Sequence, residues 1–187
     1  MNLQNRSYTS TELIDFGTIS QPIFDSITEL ILEKKNGIIC GGTGSGKTTL
    51  LQALLDYLPL NDNLLVIEHY EELKINHPNT LRWHYQFPHQ AAVMPPSLLA
   101  GPLQRPDYII LAEIYTELDF ALLQALNTGT CGILSTLHAS SAADALARIW
   151  QMRLANSSIV QMTEAIDFVV YCERNKDRQR VCRLVTT

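Results

Sequence analysis

The chain has 187 residues, 46% hydrophobic and 18% charged, a composition that suits one globular domain with a core of its own. Its formal net charge of −5 argues against a coat for nucleic acid, and no direct sequence-specific nucleic-acid binding is expected. The longest apolar runs, such as Tyr108 to Ala112, fall far short of the ~20 residues that span a bilayer, and no basic segment followed by an apolar stretch opens the chain. A cytoplasmic protein is therefore expected. Cys40, Cys131, Cys172 and Cys182 form no Cys-x-x-Cys pair and read as small reduced core residues, not zinc ligands or a redox couple.

In chain order, Thr9-Ser10-Thr11 ahead of Glu12-Leu13-Ile14 predicts a capped helical turn ending near Gly17. Helical spacing of Ile23, Phe24, Ile27, Leu30, Ile31 and Leu32 predicts a helix from Gln21 to Lys35, broken by Asn36-Gly37. Gly37 to Cys40 reads as a short buried strand, Thr48 to Tyr57 as a helix, and Leu64 to Ile67 as a second strand ending on Glu68. Tyr70 to Pro96 reads as irregular, and His69, His77, His84 and His89, which show no metal-ligand spacing, read as loop residues. Tyr108 to Ala112 is a third strand ending on Glu113. A helix over 118–128 and a fourth strand from Gly132 to Thr136 follow, and then helices over 142–153 and 157–165. Phe168 to Tyr171 and Arg180 to Leu184 read as a closing strand pair with its turn at Asn175 to Asp177. Short apolar strands alternating with helices predict an α/β fold with a mostly parallel central sheet flanked by helices. Residues 1–35 read as an N-terminal extension and 36–187 as the main domain.

Gly41-Gly42-Thr43-Gly44-Ser45-Gly46-Lys47-Thr48 fits the phosphate-loop pattern G-x-x-x-x-G-K-[ST]. Its glycines let the backbone curl so that successive N–H groups point at phosphate oxygens, and the helix that follows adds its positive end. Because the motif follows an apolar strand and opens a helix, Gly42, Thr43, Gly44, Ser45, Gly46, Lys47, Thr48 and Thr49 are the expected nucleotide-binding residues. Lys47 would reach the β- and γ-phosphates, and the Thr48 hydroxyl would ligate Mg2+.

Glu68 and Glu113 each end an apolar strand, where a doubly wound sheet opens its ligand crevice. Acids there can hold Mg2+, the role expected of Glu113 beside Thr48, or orient the attacking water, so both are candidate catalytic residues. His138, just past the fourth strand, is placed to sense a γ-phosphate through one hydrogen bond.

Three blocks in this order resemble the secretion and conjugation ATPase superfamily, with its VirB11, TrbB, CpaF and pilus-motor branches. Ile39 to Leu50 is similar to its Walker A block. Arg105-Pro106-Asp107-Tyr108-Ile109-Ile110-Leu111-Ala112-Glu113-Ile114 is similar to its Walker B block, R-P-D-x-I-I-x-G-E-x-R. Leu126 to Gly129 with Ser135 to Ala142 resembles its histidine box. The resemblance implies a P-loop NTPase of RecA-like fold with ATP and Mg2+, in which Glu68 marks the acidic box, Glu113 the Walker B acid and His138 the histidine box. It implies a homo-hexamer serving a type IV secretion, conjugation or pilus system, working with inner-membrane components and cytoplasmic or peripheral at that membrane. The chain departs from the pattern at His69, where the acidic box carries aspartate, and at Tyr115, where an arginine follows the Walker B acid. Ala112, Leu99, Leu103 and Thr130 depart as well, and the family's separate N-terminal domain has no counterpart in the 35 residues ahead of the loop's strand. These departures set out an alternative, a degenerate nucleotide-binding scaffold or regulator with little turnover.

Overall fold

In the computed structural model, residues 7–84, 105–116, 119, 131–155, 166–177 and 179–186 are described. The first helix, α1 (Ser10–Asp15), begins where the Thr9 hydroxyl accepts from the Glu12 backbone N–H while the Glu12 carboxylate accepts from the Thr9 N–H. This reciprocal cap satisfies two N–H groups that the helix cannot. α2 (Gln21–Leu32) buries Phe24, Ile27 and Ile31 and ends earlier than the expected Lys35. There Lys34 takes a left-handed φ of 61°, its N–H bonding the Ile31 carbonyl and the Lys35 N–H the Leu30 carbonyl. This C-terminal motif usually employs glycine. Lys34 offsets the strain by ion-pairing with Asp62 and standing 3.8 Å over the Tyr108 ring.

Among the described residues, seven strands form one sheet in the order β3-β2-β4-β5-β1-β6-β7. They are β1 (Gly37–Gly41), β2 (Leu64–Glu68), β3 (Thr80–His84), β4 (Tyr108–Ile114), β5 (Gly132–His138), β6 (Phe168–Arg174) and β7 (Arg180–Thr186). Every neighbouring pair is parallel except β6–β7, in agreement with the expected mostly parallel sheet and closing hairpin. α3 (Lys47–Leu55), α1 and α2 pack on one face over Ile39, Val66, Ile110, Leu134 and Val170. α4 (Ala142–Ala155) packs on the other over Ile38, Ile67, Ile109, Ile133 and Val169. Both faces are covered, which is why the inner strands read as unbroken apolar runs. No helix among the described residues is long and apolar enough to cross a membrane.

The structure corrects the sequence reading in two places that shape the site. Part of the segment expected to be irregular is β3, an edge strand parallel to β2. Only Trp83 in it is buried, so it lacks the solid apolar run of its neighbours. β4 continues past Ala112 through a bulge between Leu111 and Ile114. Ile109 and Leu111 face the α4 side, and so does Ile114, an even-numbered position that a regular strand would turn away. The Ser135 and Thr136 hydroxyls of β5 donate to the Leu111 and Ala112 carbonyls, at 2.8 and 2.6 Å, and satisfy backbone groups at the irregularity. The helices expected over 118–128 and 157–165 lie outside the described residues, apart from Asp119.

Candidate functional site

β1 lies between β5 and β6, and its C-terminal end carries the glycine loop. Gly44 (φ 71°) and Gly46 (φ 101°) take left-handed backbone conformations that a side chain strains. Gly46 stands at the start of α3 with no side chain capping the helix, so the first N–H groups of α3 remain for an anion. The buried Ser45 hydroxyl has no hydrogen-bond partner among the described residues, a group that a phosphate oxygen would satisfy. Gly41 (φ 152°) packs on β6 so closely that a Cβ would sit 2.1 Å from the Cys172 carbonyl oxygen and 2.7 Å from Ser45 Oγ. Gly41→Ala is therefore expected to lower stability by roughly 2–4 kcal/mol through overpacking and backbone strain. That corresponds to a fall of roughly 5–10 °C in Tm, and a melting curve overlying that of the parent chain would contradict this packing.

The Lys47 side chain is almost fully buried. Its ammonium donates to the Gly42 carbonyl at 3.1 Å and lies 3.4 Å from His138 Nδ1. Burial pulls the Lys47 pKa down, opposed most strongly by the Glu113 carboxylate and then by the Cys172 and Cys40 thiols and by Glu72. His138, the last residue of β5, spans the gap: its Nε2 stands 2.8 Å from Glu113 Oε1, within ion-pair range though off the hydrogen-bond direction. With an ammonium at Nδ1, that nitrogen is the acceptor, which assigns the proton to Nε2, facing the carboxylate. Arg148 of α4 donates to the His138 carbonyl and fixes the strand end. The structure thus gathers Lys47, His138 and Glu113 into one array, with Thr48 and Thr49 at the edge of an adjoining cleft of about 830 Å³.

Glu68 is placed differently. Its carboxylate is fully buried, accepts from the Glu72 and Leu73 N–H groups at 3.0 and 2.8 Å, and pairs with Arg82 of β3 at 2.7 Å. Arg82 also donates to the Leu73 carbonyl. Glu68 anchors the loop after β2 through these three hydrogen bonds, an architectural part beside the catalytic one expected of it. The acid that this anchored loop brings forward is Glu72. It lines the cleft with Thr48 and Thr49 and a second small pocket with Glu113 and Tyr115. Burial and then the charges of Glu113 and Glu68 raise its pKa, and Lys47 draws it down. The sequence reading missed Glu72; the available signal was a Glu-Glu pair just past a strand end.

The two most conspicuous departures from the family pattern meet in space. The His69 ring packs edge-to-face on Tyr115 with centroids 5.2 Å apart, and its Nε2 lies 3.2 Å from Asp119, whose other oxygen accepts from the Tyr115 and Thr116 N–H groups. Burial, a hydrogen bond to the Glu113 carboxylate and the charges of Glu113 and Glu72 all push the Tyr115 phenol's pKa up. Leu99, Leu103 and Thr130 lie outside the described residues.

Residues 2–182 match the family model described as type II/IV secretion system protein. The chain is 34% identical over 170 residues to the type IV secretion system protein VirB11 of Bartonella quintana (strain Toulouse), a match covering 81% of this chain and 46% of that protein. It is 32% identical over 166 residues to the conjugal transfer protein TrbB of Rhizobium radiobacter, covering 86% of this chain and 50% of that one. Its fold superposes on the crystal structure of the VirB11 ATPase from the Brucella suis type IV secretion system in complex with sulphate, with a TM-score of 0.72 and 27% identity over 97% of this chain and 57% of that one. The chain spans about half the length of the curated relatives it matches.

Proposed function

Because the chain belongs to the type II/IV secretion system protein family, we propose that it binds and hydrolyses ATP as the motor subunit of a type IV secretion, conjugation or pilus-type assembly system. The observation that carries this reading is the Lys47–His138–Glu113 array set against the curled loop. An ATP-binding scaffold needs the loop and the lysine; it has no use for a carboxylate held 2.8 Å from an imidazole at the phosphate end.

In this reading the N–H groups of residues 42–49 and the Lys47 ammonium cradle the β- and γ-phosphates. The Thr48 hydroxyl, with Glu113, would hold Mg2+. An ion there would take most of its ligands from phosphate and water. When bound, Mg2+ neutralises charge on the β- and γ-oxygens. Glu113 orients the attacking water, whose oxygen bonds to the γ-phosphorus as the bond to the bridging oxygen breaks. Glu72, with its raised pKa, is suited to receive the water's proton. His138, held between Lys47 and Glu113, changes partners when a γ-phosphate arrives and so links the end of β5 to nucleotide state.

Residues 36–187 form the ATPase domain of this proposal and residues 1–35 an extension that lends α1 and α2 to its core. Assembly as a homo-hexamer and work on inner-membrane components, from the cytoplasm or peripherally at the membrane, belong to the same proposal.

The test is steady-state phosphate release with ATP and Mg2+, with nucleotide binding measured in parallel. Turnover on the order of 0.1–10 s⁻¹, at or below the common enzyme range, is the expected result. Binding with no release above background would replace the motor with a nucleotide-dependent scaffold.

A further inference from the structure

The β6–β7 hairpin carries five of the chain's fourteen basic residues between Arg174 and Arg183, a local excess of positive charge in a chain of net charge −5. It stands against the glycine loop on the side opposite His138, because β1 has β5 on one flank and β6 on the other. Cys172 of β6 pairs in register with Gly41, so the two residues that β6 adds beyond it reach alongside the loop. Arg174 Nε donates to the Gly44 carbonyl at 3.1 Å, and Arg180 Nε donates to the same oxygen at 3.2 Å. The guanidinium of Arg174 lies 3.2 Å from where a Gly44 side chain would begin, and Arg180 Cδ lies 3.1 Å from the same point on Gly46.

Arg174 and Arg180 are also direct cross-strand partners. Like charges placed opposite each other on adjacent strands repel, and both side chains are solvent-exposed, with room to separate. They converge instead on one carbonyl of the phosphate loop. A peptide oxygen held outward by two charged donors leaves the N–H groups of the same turn directed inward, toward an anion. The Lys47, His138 and Glu113 groups occupy the transferring end of the loop, so the hairpin flanks its other end.

We infer that Arg174 and Arg180 are positioning residues for nucleotide binding: through Gly44 they brace the loop in its anion-binding form and add positive charge beside the phosphates that are not transferred. The inference rests on the nucleotide-binding reading above and extends it to a strand pair outside the three sequence blocks. Because the brace stands away from Glu113, it acts equally on nucleoside di- and triphosphates and leaves the chemical step alone.

The experiment compares the full chain with the double variant Arg174→Gln/Arg180→Gln, using calorimetric Kd values for ATP and ADP and kcat at saturating ATP. The expected result is at least tenfold weaker binding of both nucleotides with kcat within about threefold. Should the double variant fold poorly, the single variants Arg174→Lys and Arg180→Lys keep the charge but lose the Nε donor, and each is expected to weaken both nucleotides at least threefold. Unchanged affinity, or a loss confined to kcat, would overturn the inference. So would an equal loss in Lys176→Gln, which removes a charge from the same hairpin without touching Gly44 and is expected to bind normally. If the parent chain and Lys47→Ala are alike in binding no nucleotide, the nucleotide-binding reading itself fails and this inference falls with it. If only Lys47→Ala loses binding, the reading stands and the brace alone is refuted.

Discussion

Replacing Lys47 with alanine should lower ATP affinity by roughly 10²–10⁴-fold while leaving the fold at least as stable as before. The ammonium supplies charge-assisted hydrogen bonds to phosphate, each contributing about 1.5–3 kcal/mol, so losing two of them accounts for a drop of that size. The stability half of the expectation comes from the same residue's burial. Lys47 is 6% exposed, and burial pulls its pKa down against the help of Glu113, Cys172, Cys40 and Glu72. A cation held in the loop despite that cost contributes to binding at the expense of folding. Isothermal titration and a melting curve on one preparation check both halves. Undiminished affinity would refute the assignment of the loop, and a collapse in melting temperature would show that Lys47 holds the structure together.

The second large effect is expected from Glu113→Gln, which keeps the side chain's shape and removes its charge. Turnover should fall by about 10²–10⁴-fold, the range for loss of a positioned acid–base group, with ATP affinity changed only a few-fold. The His138 imidazole 2.8 Å away would then face a neutral amide. Single-turnover phosphate release checks this directly. If the variant turns over at the parent rate, Glu72 becomes the acid to remove next, since it shares a small pocket with Glu113 and lies within the electrostatic reach of Lys47.

The glycine loop was legible because its physics is local. Left-handed backbone at Gly44 and Gly46 demands glycine, and a strand must precede and a helix follow for the N–H groups to converge. The buried strands were legible too, since cover on both faces leaves β1 and β2 without a polar position before their ends. β3 escaped notice because it is an edge strand with one buried residue. Missing it also concealed the fate of Glu68, whose partner Arg82 comes from that strand. An acid at a strand end looks the same in sequence whether it meets a phosphate or an arginine. The bulge in β4 left no composition signal either: it depends on hydroxyls of β5 donating to carbonyls 24 residues earlier.

The position of β1 at the centre of the sheet also sets when the site can exist during synthesis. Asn36, just before β1, bonds to Ile133 at a separation of 97 residues and to Asp167 at 131, and those contacts secure the strands that flank the loop. The glycine motif is synthesised before both walls of its pocket, His138 on one side and the β6–β7 hairpin on the other. Contacts this distant in sequence close late, after the loop-closure entropy between them has been met. A nascent chain halted before β6 would carry the complete motif and still lack a pocket to hold a nucleotide, so nucleotide capture reports that β6 and β7 have docked.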